Sequence, residues 1–249
     1  KNSLNNMKYL LSKDGFEKFK INPKNKIILN KFKKEVIKIL NLEINQKIKL
    51  EKMHKYMPKD VNFNDLKLSI TNKINATSKN NQIIFNILKN NLLDLLGPDI
   101  AGQKNINLVI QKPFDKSYVP LHKDAPPNSF HEIVIWLPLV NCNKTMTLRF
   151  LNIKHSKKIT MMFKNNVSEK KILDYADKNS ISLDAKYGEF IMFWTGIYHY
   201  AVMNVESKTR WSINLRYKNL FSPYGMKGFM DFFEPKNYSK LSKLTIANI

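Results

Sequence analysis

The spacing of apolar positions changes near residue 105, and this change separates two kinds of predicted secondary structure. Before it, apolar residues recur every three to four positions over 27–42 and 82–96, the period of a helix with one buried face. Gly97-Pro98 ends the second of these helices. Beyond residue 105 the apolar runs are short, which predicts strands. The predicted strands are 106–111, 117–124, 131–139, 147–153, 190–194, 199–204 and 210–217, and a helix is predicted over 168–178.

This order of elements indicates a helical layer packed on a β core and not an alternating α/β fold. The spacing of the strands suggests a sandwich or a barrel. We expect one domain over 1–249, because no Pro/Gly/Ser-rich linker and no internal repeat interrupts the sequence. Within that domain, 1–104 is expected to form the mainly helical packing layer, 105–222 the β core and 223–249 a C-terminal tail.

The charge of the chain raises the question of a nucleic-acid partner. The 249 residues include 42 Lys and Arg against 20 Asp and Glu, which gives a net charge of +22. Arginine occurs only at positions 149, 210 and 216, so the excess is almost entirely lysine. Asparagine and isoleucine are also abundant, as in genomes biased toward A and T codons. We therefore interpret the charge as a solvated Lys-rich surface and expect no nucleic-acid partner.

Cysteine content and hydropathy bear on the compartment. The single cysteine, Cys142, excludes an internal disulfide and any multi-Cys zinc site, and it fits a reducing compartment. No apolar run approaches the roughly 18 residues that span a bilayer. No charged-then-apolar leader pattern opens the sequence as given. We expect a cytoplasmic protein without a membrane partner, and the sequence leaves its oligomeric state open.

Two histidines and an aspartate are candidate metal ligands. His122 and Asp124 form an H-x-D motif, and residues i and i+2 of a strand point to the same face, so both side chains can converge on one metal ion. The alternative is a surface turn, because Pro126-Pro127 lies just beyond the motif. His199 follows the apolar run that begins at Gly188. The alternative interpretation of His199 is a hydrogen-bonded histidine of the core.

A polar row along the last predicted strand is the candidate anion-binding element. Arg210, Ser212, Asn214 and Arg216 alternate with apolar residues and share one strand face. A polar row on a central strand needs either solvent or a ligand-filled interior. The planar fork of Arg210 can bind a carboxylate bidentately, and Ser212 can donate a hydrogen bond to the same group. For Arg216 we favour a structural ion pair with an acidic residue.

Two histidines and one carboxylate on one metal leave three coordination positions open, a ligand set characteristic of non-haem Fe(II) oxygenases. The chain resembles the Fe(II)/2-oxoglutarate-dependent dioxygenases, most closely their phytanoyl-CoA dioxygenase-like branch, over roughly 105–222. A looser match is the segment 148–157 with its His155-Ser156-Lys157 run. The residues that carry the main resemblance are Pro120-Leu121-His122-Lys123-Asp124, Trp136, the segment from Gly188 to His199, and Arg210-Trp211-Ser212.

The resemblance implies a mainly β fold, a double-stranded β-helix (a cupin-like jelly-roll) with N-terminal helices on its larger sheet. It implies that His122, Asp124 and His199 bind Fe(II), and that Arg210 and Ser212 hold the distal carboxylate of 2-oxoglutarate. Trp136 falls where the branch has an aromatic residue beside this co-substrate. The implied reaction is hydroxylation of a small-molecule metabolite with O₂, and a carbohydrate-related substrate is suggested by analogy.

Two other functions stay open. A nucleic-acid dealkylase of the same superfamily has two arginines spaced like Arg210 and Arg216, but Ser212 and Asn214 replace the residues between them. A jelly-roll binding module without catalysis is the other alternative.

The remaining histidines receive no catalytic role. We expect His131 and His155 at the surface and His54 in the helical half without a nearby partner. The region 155–185 is either a lid over the site or a packing insertion.

Overall fold

Two antiparallel sheets face each other in the computed structural model, which describes residue 11 and residues 13–58, 61–77 and 79–248. The larger sheet has the order β1-β7-β4-β9-β2-β10, and β3 also pairs with β9. The smaller sheet has the order β6-β5-β8. The strands are β1 (Phe16–Lys20), β2 (Ile100–Gln103), β3 (Asn107–Gln111), β4 (Glu132–Pro138), β5 (Leu148–Phe150), β6 (Ile181–Ser182), β7 (Glu189–Trp194), β8 (His199–Ala201), β9 (Arg210–Asn219) and β10 (Phe233–Asn237).

Helices cover the outer face of the larger sheet and the outer face of the smaller one. The first of them begins at a local signal: the Asn22 side chain accepts a hydrogen bond from the Asn25 N–H, and Pro23 occupies the first turn. No helix among the described residues is long and apolar enough to cross a membrane. The helices are α1 (Pro23–Ile44), α2 (Phe63–Asn75), α3 (Lys79–Leu96), α4 (Ile153–Lys164), α5 (Glu169–Asn179) and α6 (Lys240–Ala247), with 3₁₀ turns at Leu50–Lys55 and Lys144–Met146.

Strand β9 presents an apolar face to the helical layer and a polar face to the interior between the sheets. On the apolar face, the Trp211 indole N–H donates to the Leu50 carbonyl at 2.9 Å. The Tyr217 ring lies 6.0 Å from the ring of Phe85 in α3. The alternation read from the sequence therefore places one side of β9 against the helices and leaves the other side free to line a site.

Aromatic side chains join the two sheets beside that interior. Phe16 of β1 stacks on Phe150 of β5 at 5.1 Å between ring centroids. Phe150 in turn lies 5.2 Å from Phe193 of β7, and Phe193 lies 4.7 Å from the imidazole of His199. This packing fixes the position of β8, the strand that begins with His199, relative to the larger sheet.

The structure departs from the predicted elements in three places. Residues 117–124 form a loop with one β-bridge between His122 and His199, and not a strand. Residues from 153 onward form α4, where a strand was predicted to extend to 153. The larger sheet also takes β1 and β2 from the predicted helical layer and β10 from the predicted tail. The helical layer thus contributes two strands and the tail contributes one, and the division of the chain into those three segments stays a prediction.

Candidate active site

The structure brings His122, Asp124 and His199 together. One potential ligand atom from each residue lies within 4.8 Å of the others. The backbone explains this: the His122 N–H donates to the His199 carbonyl at 3.1 Å, and the His199 N–H donates back to the His122 carbonyl at 2.8 Å. This reciprocal pair sets the two imidazole centroids 4.3 Å apart. Asp124 follows two residues later on the same loop.

Both histidines are oriented by carbonyl oxygens behind them. Nδ1 of His122 lies 2.9 Å from the Pro120 carbonyl, and Nδ1 of His199 lies 3.3 Å from the Ile197 carbonyl. A protonated Nδ1 that donates to a carbonyl leaves Nε2 as the free lone pair of a neutral imidazole. Nε2 of His122 lies 3.9 Å from Oδ1 of Asp124. The arrangement therefore presents two ring nitrogens and one carboxylate to a common point.

The charge states of these groups suit a metal cation. Burial lowers the pKa of His199 to about 4, so its imidazole is neutral near pH 7. Burial acts to raise the pKa of Asp124, but the charge and hydrogen bond of Arg216, together with the two histidines, bring this pKa below its usual value. Nη2 of Arg216 donates to Oδ1 of Asp124 at 2.8 Å. Deprotonated ligands of this kind are the forms that bind metals.

The ion pair of Arg216 that we expected from the sequence is confirmed, and its partner is one of the candidate metal ligands. The sequence did not identify this partner, because Asp124 and Arg216 are 92 positions apart in the chain. The contact ties the loop that carries Asp124 to strand β9.

The polar face of β9 holds a buried cation that forms no ion pair with another described residue. Arg210 is 2 % exposed. Within the part of the chain that the structure describes, Nε and Nη1 of Arg210 and the hydroxyl of Ser212 have no hydrogen-bond partner. Burial lowers the pKa of Arg210 to about 10, so the guanidinium is still charged at neutral pH. A buried, charged donor without an acceptor is costly, so this geometry fits a site for a carboxylate.

Residues beside Arg210 extend this polar surface. Gln111 of β3 is the direct partner of Arg210 across the strand pair, and its amide donates to the Val202 carbonyl at 2.9 Å while its oxygen has no donor within the described ranges. The sequence interpretation missed Gln111, although it ends an alternating strand. Trp136 is buried on β4 directly opposite Asn214. It therefore lies on the same interior face as the polar row, and its contact with a co-substrate stays a prediction.

The other histidines lie away from this cluster. His131 is exposed. Nδ1 of His155 lies 2.8 Å from the Tyr175 hydroxyl, which joins α4 to α5. The expectation that His54 has no nearby partner was wrong, because its Nδ1 lies 2.8 Å from the Thr209 hydroxyl. The contact was not predictable because the two residues are 155 positions apart in the chain.

Helices α4 and α5 form most of the region 155–185, for which the sequence left two interpretations open, a lid and a packing insertion. Ile159 of α4 and Ile172 of α5 form a buried cluster with Tyr198 and Tyr200. Tyr200 and His199 are adjacent on β8 and point to opposite faces. The two helices thus pack on the outer face of the smaller sheet, and a role as a lid stays a prediction.

Comparison with known proteins shows similarity of fold. No family model matches the sequence, and a search of curated proteins found no similar sequence. The solved structures that resemble it include the non-haem monooxygenase ThoJ in a nickel complex, at 15 % identity and a TM-score of 0.59 over 94 % of this chain and 84 % of that one. They also include the non-haem α-ketoglutarate-dependent epimerase SnoN from nogalamycin biosynthesis, at 12 % identity and a TM-score of 0.53 over 90 % and 86 %.

A third similar structure is EctD from S. alaskensis, solved with 2-oxoglutarate and 5-hydroxyectoine. It is 14 % identical, with a TM-score of 0.56 over 85 % of this chain and 74 % of that one. At these identities the similarity concerns the fold. The chain therefore has the fold of non-haem, 2-oxoglutarate-dependent enzymes, as the sequence resemblance predicted, whereas the phytanoyl-CoA dioxygenase-like branch stays a prediction.

Proposed function

We propose that this protein is an Fe(II)- and 2-oxoglutarate-dependent oxygenase that hydroxylates a small molecule. The observation that carries the proposal is the coexistence of two incomplete sites in the interior between the two sheets. His122, Asp124 and His199 converge without a fourth protein ligand in the described cluster. Arg210 and Ser212 lie buried without an acceptor on the strand whose Arg216 holds Asp124. A metal and a dicarboxylate would complete both sites.

Each of these residues has a distinct role in the proposal. Nε2 of His122, Nε2 of His199 and the Asp124 carboxylate would hold the iron. Arg216 keeps Asp124 ionised and oriented. The Arg210 fork and the Ser212 hydroxyl would bind the distal carboxylate of 2-oxoglutarate, with Trp136 beside it. When bound, iron and 2-oxoglutarate supply the reduction of O₂ that turns a substrate C–H into C–OH and yields succinate and CO₂. Phe193 and Phe150 exclude water beside His199.

The finer features of the proposal rest on the resemblance and on the facing sheets. We infer that the two sheets form a double-stranded β-helix, because the candidate site lies between them and their aromatic residues interlock. The protein would act in the cytoplasm on a small molecule, and a carbohydrate-related substrate is the working hypothesis. No observation on the structure favours the nucleic-acid dealkylase or the non-catalytic module.

The decisive experiment is anaerobic loading of the protein with Fe(II), followed by 2-oxoglutarate. We expect a visible metal-to-ligand charge-transfer band in the wild type and its loss in His199→Ala. Asp124→Ala is expected to abolish iron binding. His131→Ala is the matched control, because it removes an exposed imidazole and should keep the band.

Two results would contradict the proposal. One is the absence of a band from wild-type protein that circular dichroism shows to be folded. The other is full metal occupancy in both His199→Ala and Asp124→Ala. Metal analysis of protein purified without chelator is a separate test, in which a lack of bound metal would point to the non-catalytic module.

A further inference from the structure

The segment that follows β9 returns to the loop that carries Asp124. We call residues 222–232 the strap. The Met226 N–H of the strap donates to the Pro127 carbonyl at 3.1 Å. Asn128, the next residue of that loop, donates its N–H to the Asp124 carbonyl at 3.1 Å. The strap is therefore held by hydrogen bonds within a few residues of a candidate iron ligand, and Lys227 is the residue after Met226.

The two cations at this end of the polar face of β9 have partners of their own. Arg216 forms its ion pair with Asp124. Lys218 lies directly opposite Glu132 in the β4–β9 register, and both residues are fully buried. The Lys218 ammonium also donates to the Ser222 carbonyl at 3.0 Å. Neither cation is available to neutralise a further anion without losing an existing contact.

Lys227 differs from these cations because it lacks an anionic partner. Its ammonium lies 4.4 Å from the centroid of the Phe232 ring. It forms no hydrogen bond or ion pair with a residue in the described ranges. Burial lowers its pKa, and the charges of Arg216, Asp124 and Glu132 act on it as well. Lys227 is thus a partly buried cation near the candidate metal centre, and a desolvated cation is stabilised by an anion.

We propose that Lys227 binds an anionic group, a carboxylate or a phosphate, of the molecule that the enzyme oxidises. The inference rests on the proposed function. In the proposed function, one carboxylate of 2-oxoglutarate pairs with Arg210 and the other binds the metal. The co-substrate therefore has no carboxylate left to neutralise the charge of Lys227. The Phe232 ring offers apolar contact beside the Lys227 ammonium. The substrate class is therefore a small organic anion.

Calorimetric titration with two aromatic anions tests this proposal. The protein is loaded with redox-inert Ni(II) and saturating 2-oxoglutarate at 0.15 M salt, so that the metal and Arg210 are occupied. Phenyl phosphate and benzoate are the probes, and the comparison between them distinguishes a phosphate from a carboxylate. We expect saturable binding of at least one probe by the wild type, and binding about tenfold weaker or more in Lys227→Gln.

Lys243→Gln is the matched control, because Lys243 is exposed on α6 and the substitution removes the same charge. It should bind the probe as the wild type does. Equal affinity in wild type and Lys227→Gln overturns the inference, as does an equal loss in both variants, which would report net charge alone. Absence of binding of both probes to the wild type also overturns it.

The titrations separate this inference from the proposed function. Normal Ni(II) and 2-oxoglutarate binding with probe affinity independent of Lys227 would refute only the inference. If the wild type binds neither Ni(II) nor 2-oxoglutarate, the proposed function fails. The same probe titration on the metal-free protein then still decides the role of Lys227.

Discussion

At the residue scale, the candidate site differs from the rest of the protein in the type of its cationic residues. Lysine supplies nearly all the positive charge, yet two of the three arginines lie on the polar face of β9. An ammonium group cannot reproduce the planar, bidentate contact of a guanidinium with a carboxylate. Arg216 donates a single hydrogen bond to Asp124, from Nη2 to Oδ1 at 2.8 Å. Arg210 forms no ion pair with a carboxylate in the described part of the chain, and its Nε and Nη1 have no hydrogen-bond partner there, so we expect a ligand to supply the carboxylate.

Arg210→Lys tests this difference directly. We expect the concentration of 2-oxoglutarate needed for half-maximal turnover to rise by roughly tenfold or more, because a lost bidentate contact is worth about 1.5–3 kcal/mol. Steady-state kinetics at varied 2-oxoglutarate measures it. Arg149→Lys is the control, since Arg149 lies opposite Tyr200 on the smaller sheet. An unchanged requirement in Arg210→Lys would move the carboxylate anchor to Arg216.

Lys218 should make stability depend on pH above neutrality. Burial lowers its pKa from 10.5 to about 8, and the charge of Glu132 opposes this shift. Between those two values the unfolded chain keeps a proton at this residue that the folded chain has released, so the free energy of unfolding rises with pH. From pH 8 to 10.5 we expect wild type to gain about 1–3 kcal/mol relative to Lys218→Met. Urea denaturation at both pH values measures the difference. A difference that stays constant would contradict the expectation.

The parts of the candidate site that depend on residues close together in the chain were predictable from the sequence. The contacts between residues far apart in the chain were not. The H-x-D spacing and the alternation of β9 are local, so His122, Asp124 and Arg210 could be proposed from them. The strand predicted over 117–124 is absent, yet a single bridge to His199 still aligns the two histidines. The link from Arg216 to Asp124 depends on the tertiary fold, and no local pattern reveals it.

At the element scale, one buried hydroxyl connects α4 to the turn before β8. The Ser156 hydroxyl donates to the Leu151 carbonyl at 3.0 Å and accepts a hydrogen bond from the Tyr198 N–H at 2.9 Å. Tyr198 immediately precedes His199, so this serine holds the residue next to a candidate ligand. The sequence placed Ser156 in a loosely matching run and gave no sign of this bridge.

Ser156→Ala should therefore destabilise the protein. The substitution leaves the buried Tyr198 N–H without an acceptor, and we expect the free energy of unfolding to fall by about 1–3 kcal/mol. Urea denaturation of metal-free protein measures it. Ser207→Ala, at an exposed position, should change stability by less than about 0.5 kcal/mol. Equal stability of the two variants would show that the Ser156 bridge contributes nothing.

The strands that the sequence missed have physical reasons in common. β1 is only five residues long and lacks strict alternation, because Glu17 and Lys18 lie between its two phenylalanines, and its partner β7 is distant in sequence. β2 contains Gly102, where an added Cβ would lie 2.7 Å from the Tyr217 ring. This close approach needs a glycine, although glycine is a poor indicator of a strand. Short strands of this kind are determined by their partner strands, and the sequence alone does not show which partner each strand has.

At the scale of the whole molecule, the candidate site depends on elements from both sheets. His199 belongs to the smaller sheet, Arg210 and Arg216 belong to the larger one, and His122 and Asp124 lie on the loop that bridges to β8. The order of helices before strands was predictable because each period is local. The facing of two sheets was expected from the resemblance, and its physical basis is the packing of Phe16, Phe150 and Phe193.

Ligand binding should consequently stabilise the whole fold in two separable steps. A ligand at a hundred times its dissociation constant adds about 2.7 kcal/mol, or roughly 5–10 °C in Tm for a chain of this size. We expect one increment with Ni(II) and a second with 2-oxoglutarate, measured by thermal denaturation. Arg210→Lys should keep the first increment and lose about half of the second or more, because tenfold weaker binding at the same concentration leaves about 1.4 kcal/mol. Asp124→Ala should lose both increments, and Arg149→Lys should keep both. Full increments in Asp124→Ala would mean that the metal binds elsewhere and that the two halves of the proposed site are unconnected.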